Sequence, residues 1–142
     1  MLHWFTKRNT IQQEDGITIK ESAIHGRGVF ANRNFKPGAV IETAPVIILD
    51  KTERDFLQYT HLFSYYFVVS DAINPVALGL GCTSLYNHAF SANAVYSISV
   101  NEATITIKAC KHIMAGDEIT LNYNGGPDDA SPVYFPPDIS IP

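Results

Sequence analysis

An amide and an imidazole stand side by side at Asn87-His88, inside Ser84-Leu85-Tyr86-Asn87-His88-Ala89-Phe90-Ser91-Ala92-Asn93. Asn offers a donor and an acceptor, and neutral His offers one of each. Together they can read an adenine edge and fix a ribose or a backbone. An isolated Asn-His pair reads equally as a capped turn, and Asn93, a second amide, as a turn residue. Downstream, Gly116-Asp117-Glu118-Ile119-Thr120-Leu121-Asn122-Tyr123 reads as a turn, an acidic pair, a short strand and a tyrosine closing it. Asp117-Glu118 is most simply a solvated turn. Upstream, the two glycines of Gly26-Arg27-Gly28 let backbone approach a ligand closely. Val29-Phe30-Ala31 follows with no helix, which excludes the GxGxxG dinucleotide pattern. Tyr65, Tyr66 and Tyr96 can line a pocket that admits a lysine stem and attracts its cationic head through the ring quadrupole. Singly, each reads as ordinary strand core.

Other chemistries find less support. Cys82, His88, Cys110 and His112 lack CxxC pairing, and Cys110-x-His112 is an unusual ligand spacing, so no metal site is expected. No segment has the form of a nucleophile elbow, which makes a Cys-His or Ser-His-Asp hydrolase the weaker enzyme reading. With 142 residues the chain suits one domain, and 46% apolar residues argue for a folded one. A net charge of −4 argues against general nucleic-acid binding and is compatible with a basic protein substrate. Two cysteines do not make a disulfide scaffold and read as free thiols. No apolar run has the length of a membrane span, and Met1 to Gly16 lacks a signal-peptide core. Residues 1–14 read as a loosely held tail, 15–124 as the domain, and 125–142 as a second tail.

Many short strands with close turns must position these residues, giving a mostly-β domain. Strands are expected from Gly16 to Lys20, at Val29-Phe30-Ala31, from Ala39 to Ile41 and from Val46 to Leu49, with Pro45 marking an edge or bulge. A short helix is expected within Asp50 to Tyr59, with Thr52 as N-cap. Further strands are expected at Phe63 to Val69, Val76 to Leu80, Ala94 to Val100, Ala103 to Ala109 and Glu118 to Tyr123. In Ala103 to Ala109, Ile105 and Ile107 face one way, and Thr104, Thr106 and Lys108 the other. Gly79 and Gly81 suggest backbone packed tightly against something.

The order and spacing of the three motifs resemble the SET domain, the fold of S-adenosylmethionine-dependent protein lysine methyltransferases. The resemblance runs from about Gly16 to Tyr123 and rests on Gly26-Arg27-Gly28-Val29-Phe30-Ala31, Asn87-His88-Ala89-Phe90-Ser91-Ala92-Asn93 and Gly116-Asp117-Glu118-Ile119 through Tyr123. Pro37-Gly38 and the Ala77 to Gly81 run resemble the small stand-alone SET proteins of viruses and bacteria. It implies a β-clip fold of several short curved sheets, with a C-terminal pseudoknot bringing Asn87, His88 and Tyr123 together. It also implies that Gly26, Arg27, Gly28, Asn87, His88, Tyr123 and Phe135 hold S-adenosyl-L-methionine. Tyr96 and one or other of Tyr65 and Tyr66 would line the lysine channel, and Tyr123 would be catalytic.

The implied activity is methyl transfer to the ε-amine of a lysine in a protein substrate. The alternative is a SET-fold module that binds peptide or cofactor without turnover. Small stand-alone relatives suggest a homodimer, and the implied location is the cytoplasm or, for an effector or viral protein, a host cell. Ala89 and Ala92 depart from the serine and proline usual in the family, and Ala92 is expected to loosen the loop before Asn93. Ser84 stands where many histone-directed members carry arginine. Flanking cysteine-rich zinc regions are absent, so Tyr134-Phe135 are expected to supply a pocket wall.

Overall fold

The computed structural model describes residues 15–69 and 75–133. Within them lie nine strands: β1 (Ile17–Glu21), β2 (Arg27–Ala31), β3 (Val40–Leu49), β4 (Tyr66–Val68), β5 (Val76–Gly79), β6 (Asn87–His88), β7 (Ala94–Ser99), β8 (Thr104–Ala109) and β9 (Glu118–Leu121). One helix, α1 (Lys51–Leu57), and short 3-10 turns at His61–Ser64 and Thr83–Leu85 complete the set. The strands join edge to edge in the order β1-β2-β9-β7-β8-β3-β5-β4, with β6 against β9. The mostly-β reading therefore holds.

Alternation explains the middle of this order. Ile105 and Ile107 of β8 are fully buried while Lys108 is exposed, as period-2 patterning requires. Strand β8 pairs antiparallel with β7 from Ala94↔Ala109 to Ser99↔Thr104. On its other edge it pairs with the first half of β3. The second half of β3, Val46 to Leu49, pairs with β5 instead. The two strands expected around Pro45 are thus one ten-residue strand that changes partners. Pro45 stands at the handover, where a missing N–H is tolerated, and its carbonyl accepts from the Leu80 N–H at 3.0 Å. The irregularity lies between Val40 and Glu42, not at Pro45.

Other boundaries differ for local reasons. The N-cap of α1 is Asp50 rather than Thr52, because Asp50 and Glu53 have the spacing of a reciprocal capping box. The expected strand from Phe63 to Val69 begins as a 3-10 turn capped by Thr60 and becomes strand only at Tyr66. Strand β2 starts at Arg27, so the turn is confined to the residues before it. Strand β9 ends at Leu121, which leaves Tyr123 beyond it rather than closing it.

Four-residue β9 is the centre of the core. It pairs antiparallel with β2 and parallel with both β6 and β7. Its Ile119 and Leu121 are fully buried with Ile17, Val29, Phe35 and Ile113. Each such side chain contributes roughly 1.5–3 kcal/mol of burial. Asn93 is not a simple turn residue. Its Nδ2 donates to the Glu118 carbonyl and its Oδ1 accepts from the Thr120 N–H, both at 2.9 Å. A side-chain amide thereby stands in for a strand neighbour along β9. Replacing Asn93 with Ala should lower the unfolding free energy by about 2 kcal/mol, two hydrogen bonds' worth. Urea denaturation should show this as a lower midpoint with an unchanged slope.

Candidate active site

The parallel register Asn87↔Thr120 and His88↔Leu121 fixes where the amide and imidazole stand. Asn87 is buried, and its Nδ2 lies 2.8 Å from Glu118 Oε1, 3.0 Å from the His25 carbonyl and 3.1 Å from the Arg27 carbonyl. One amide nitrogen therefore clamps β6 to β9 and to the turn before β2. Glu118, expected as part of a solvated turn, also accepts from Ser22 Oγ at 2.8 Å. Gly28 is a glycine for this reason: a Cβ there would run into the Glu118 carboxylate and come within 3.0 Å of Asn87 Nδ2. The close approach at Gly28 serves an internal carboxylate. Residues 23–27 of the turn are exposed, although the carbonyls of His25, Gly26 and Arg27 are bonded within the protein.

Beside Asn87, His88 Nδ1 accepts the backbone N–H of Tyr123 at 3.1 Å. An accepting Nδ1 means a neutral ring with its proton on Nε2, and burial lowers the His88 pKa in the same direction. The His88 ring meets Phe90 edge-on at 4.7 Å and Tyr123 at 5.1 Å between centroids. Tyr123 then turns inward. Its hydroxyl donates to the Tyr86 carbonyl at 2.8 Å. Tyr86 is fixed in turn: it is 2% exposed and its own hydroxyl donates to the buried Glu42 carboxylate at 2.9 Å. The other oxygen of Glu42 accepts from the Cys82 N–H at 2.8 Å. A Cβ on Gly81, whose φ is +68°, would meet that carboxylate at 2.6 Å, so the tight packing expected of this glycine run is against Glu42 at Gly81 and against the Thr83 side chain at Gly79.

Inside Tyr123 lies a cavity of about 310 Å³. Five phenols reach it: Tyr65, Tyr66, Tyr86, Tyr96 and Tyr123. Among the described residues, none of the lining side chains carries a charge. Tyr96 packs on Phe67 at 4.9 Å between centroids, and burial raises its pKa. Ser84 donates its hydroxyl to the Tyr65 carbonyl at 2.9 Å and so holds the backbone of that residue. Tyr123 keeps 42% of its surface exposed, but its hydroxyl end is enclosed. Its pKa is pushed up to about 12 by burial first and by the neighbouring Tyr65 phenol second.

The fold thus brings Asn87, His88 and Tyr123 together, sets the backbone of Gly26, Arg27 and Gly28 beside Asn87, and gathers Tyr65, Tyr66 and Tyr96 around one cavity with Tyr123. Phe135 and Tyr134 lie outside the described residues; Val133 is the C-terminal residue that reaches the cavity. The N–H of Ala92 donates to the Pro127 carbonyl at 3.1 Å. A proline could not make that bond, so alanine ties the loop down instead of loosening it. Cys82 and Cys110 are free thiols. Sequence reasoning missed Ser22, Glu42, Tyr86 and Glu118 because their partners are 40 or more residues away or lie on an unrelated strand.

A central strand held parallel to an Asn-His segment, with a phenol crossing from that segment into an aromatic cavity, defines a distinctive class of β protein. The family model for the SET domain matches residues 26–124, and the chain belongs to the SET-domain family. It is 31% identical over 108 residues to the fission yeast (Schizosaccharomyces pombe) histone-lysine N-methyltransferase specific for H3 lysine-37, covering 75% of this chain and 72% of that protein. It is 29% identical over 126 residues to human histone-lysine N-methyltransferase 2B, covering 83% of this chain but only 5% of the human protein. A crystal structure of a candidate histone methyltransferase from Plasmodium falciparum superposes with a TM-score of 0.63 at 28% identity, covering 78% of this chain and 95% of that one. The Chaetomium thermophilum polycomb repressive complex 2 shares the fold, with a TM-score of 0.64 at 23% identity over 78% of this chain and 15% of that one.

The enclosed phenol makes a direct prediction. In an alkaline titration followed at 295 nm, the difference between wild type and Tyr123→Phe should show one phenol ionising near pH 12. A folded pKa above the unfolded value of about 10 stabilises the protein below pH 10, and that contribution disappears as pH rises toward 12. A midpoint near 10 would contradict the enclosure.

Proposed function

We propose that this chain transfers a methyl group from S-adenosylmethionine to the ε-amine of a lysine in a protein substrate. The observation that carries this reading is the double attachment of Tyr123. Its backbone N–H is held by His88 on the outer wall, and its hydroxyl is held by the Tyr86 carbonyl at the cavity. One residue therefore stands between the exposed wall and the aromatic cavity.

The residues of that wall fit the cofactor. The Asn87 amide nitrogen is turned onto protein oxygens, so its oxygen faces the other way as an acceptor for an ammonium. His88 is neutral, and residues 23–27, whose His25 and Arg27 carbonyls bond Asn87, are exposed. When bound, S-adenosylmethionine supplies a methyl group activated by a sulfonium. The protein's own part is positioning and desolvation. The single Tyr123 hydroxyl proton is committed to a carbonyl, so the phenol oxygen can accept an N–H from the incoming amine and aim its lone pair. With a pKa near 12, Tyr123 stays neutral at working pH and is not the base. The uncharged cavity disfavours the lysine ammonium and favours the amine that must react.

The chain is a protein-lysine methyltransferase. Both curated relatives named above act, by their names, on histones, and a net charge of −4 suits a basic tail. Histone is the first substrate to assay, followed by a whole lysate. Radiolabelled methyl transfer should fall by about 100-fold or more in Tyr123→Phe, while S-adenosylmethionine affinity by calorimetry stays within about tenfold because the removed hydroxyl contributes only about one hydrogen bond. Full turnover in that variant would refute the assignment. Acid should also impair the wild type. Protonating His88 Nδ1 sets two donors face to face at Tyr123, and a lowered folded pKa means stability present above the unfolded value of about 6.5 is lost as pH falls. The drop in activity as pH falls below the ordinary histidine range should be absent from any residual activity of His88→Gln.

A further inference from the structure

We propose that Glu118 is a positioning residue for methyl-donor binding: it orients the Asn87 amide so that the ligand meets an acceptor, and it anchors the Ser22 to Gly28 turn beneath that ligand. The inference rests on the cofactor reading above and names the residue that sets its amino-acid subsite.

Four features converge on this carboxylate. Its Oε1 is 2.8 Å from Asn87 Nδ2. Both of its oxygens are 2.8 Å from Ser22 Oγ. Ser22 Oγ in turn accepts from the N–H groups of Ile24 at 2.9 Å and His25 at 3.4 Å. Because those N–H groups can only donate, the one hydroxyl proton of Ser22 goes to Glu118. The missing Cβ of Gly28 leaves the space the carboxylate occupies. Its backbone is pinned as well, by pairing with Phe30 and by the Asn93 amide.

The orientation of Asn87 follows without ambiguity. Oxygen and nitrogen of an amide are assigned from their partners. Here the three neighbours of Nδ2 are a carboxylate and two carbonyls, all acceptors. A flipped amide would set oxygen against three oxygens. The carboxylate carries the full negative charge among them, and hydrogen bonds to a charged partner are the strong ones. Glu118, together with the His25 and Arg27 carbonyls, therefore holds Asn87 with its oxygen outward, and an outward oxygen selects a ligand group that donates. An α-ammonium is such a group; a carboxylate or an ether is not. Asp117, next to it, instead closes its own turn on the Met114 N–H at 3.0 Å.

A double comparison on the full chain tests this. Calorimetry should measure S-adenosylhomocysteine and its analogue lacking the α-amino group against wild type, Glu118→Ala, Glu118→Gln and Glu118→Met. In wild type the amino group should strengthen binding by about tenfold or more, the scale of a charged hydrogen bond. In Glu118→Ala, where only the His25 and Arg27 carbonyls still orient the amide, that ratio should fall by about threefold or more, while the melting temperature of the unliganded protein moves by only a few degrees. Glu118→Gln keeps an accepting oxygen and should retain most of the ratio, which a purely structural role would not require. An unchanged ratio in Glu118→Ala, or equal weakening of both ligands, overturns the proposal. Should Glu118→Ala fail to fold, Glu118→Met, similar in length but without an acceptor, decides: a reduced ratio supports the role, and a wild-type ratio overturns it. Failure of wild type to bind either ligand overturns both this proposal and the cofactor reading, whereas tight wild-type binding with no change in ratio overturns this one alone.

Discussion

The parallel pairing of a two-residue strand, Asn87–His88, with Thr120 and Leu121 of β9 is the constraint on which the rest of the site depends. Parallel strands cannot be joined by a tight hairpin, so the chain must travel through β7, β8 and the Asn101 region before β9 can return beside β6. That return makes one short strand the shared neighbour of β2, β6 and β7. A slip of one residue would exchange the face of Ile119 and Leu121 with that of the buried Thr120, setting two apolar side chains against the hydrogen-bonding partners of a polar one. Burial of those apolar side chains therefore fixes the register, and the register fixes the height of Asn87 and His88. Tyr123, two residues past β9, inherits its place from the same choice.

Two carboxylates finish what the register begins. Glu42 is 2% exposed, and its oxygens hold the Cys82 N–H and the Tyr86 hydroxyl. It sets the cavity side, since the Tyr86 carbonyl carries the Tyr123 hydroxyl. Glu118 sets the outer wall through Asn87 and Ser22. Each takes several hydrogen bonds, which a buried or half-buried carboxylate needs if it is not to destabilise the fold. Each also faces a glycine whose Cβ would intrude, Gly81 for Glu42 and Gly28 for Glu118. Carboxylate and glycine thus specify one another across the sequence.

How much of this was legible beforehand follows from the range of the forces. Alternation in β8 and turn chemistry at Pro37-Gly38 act over a few residues, so the mostly-β class could be read directly. The helix was legible but its cap was not, because Thr52 and Asp50 both qualify until the position of Glu53 is weighed. Pro45 misled because proline penalises a strand only where its N–H is needed, and at a change of partner it is not. The juxtaposition of Asn87, His88 and Tyr123 came from motif order rather than from any local signal. Glu118 looked like part of a solvated turn, and Glu42, inside β3, carried no local signal. Their roles depend on neighbours 40 and 31 positions away, and no short window contains those.

The aromatic cavity presents two opposed effects on a lysine, and their sizes decide between them. Phenol faces attract an ammonium by about 0.5–2 kcal/mol each when well placed. Making the amine available at pH 7 from a free pKa of about 10.4 requires about 4.6 kcal/mol, at 1.36 kcal/mol per unit. Enclosure without a counter-charge can lower a lysine pKa by about 3–5 units, which covers most or all of that requirement. The raised pKa of Tyr123 matters here: a phenolate in the cavity would restore the missing counter-charge and hold the lysine as its ammonium. Burial and the nearby Tyr65 phenol keep that phenolate from forming until about pH 12. The same enclosure that makes Tyr123 a poor acid therefore keeps the cavity uncharged, and an uncharged cavity is what a neutral amine needs.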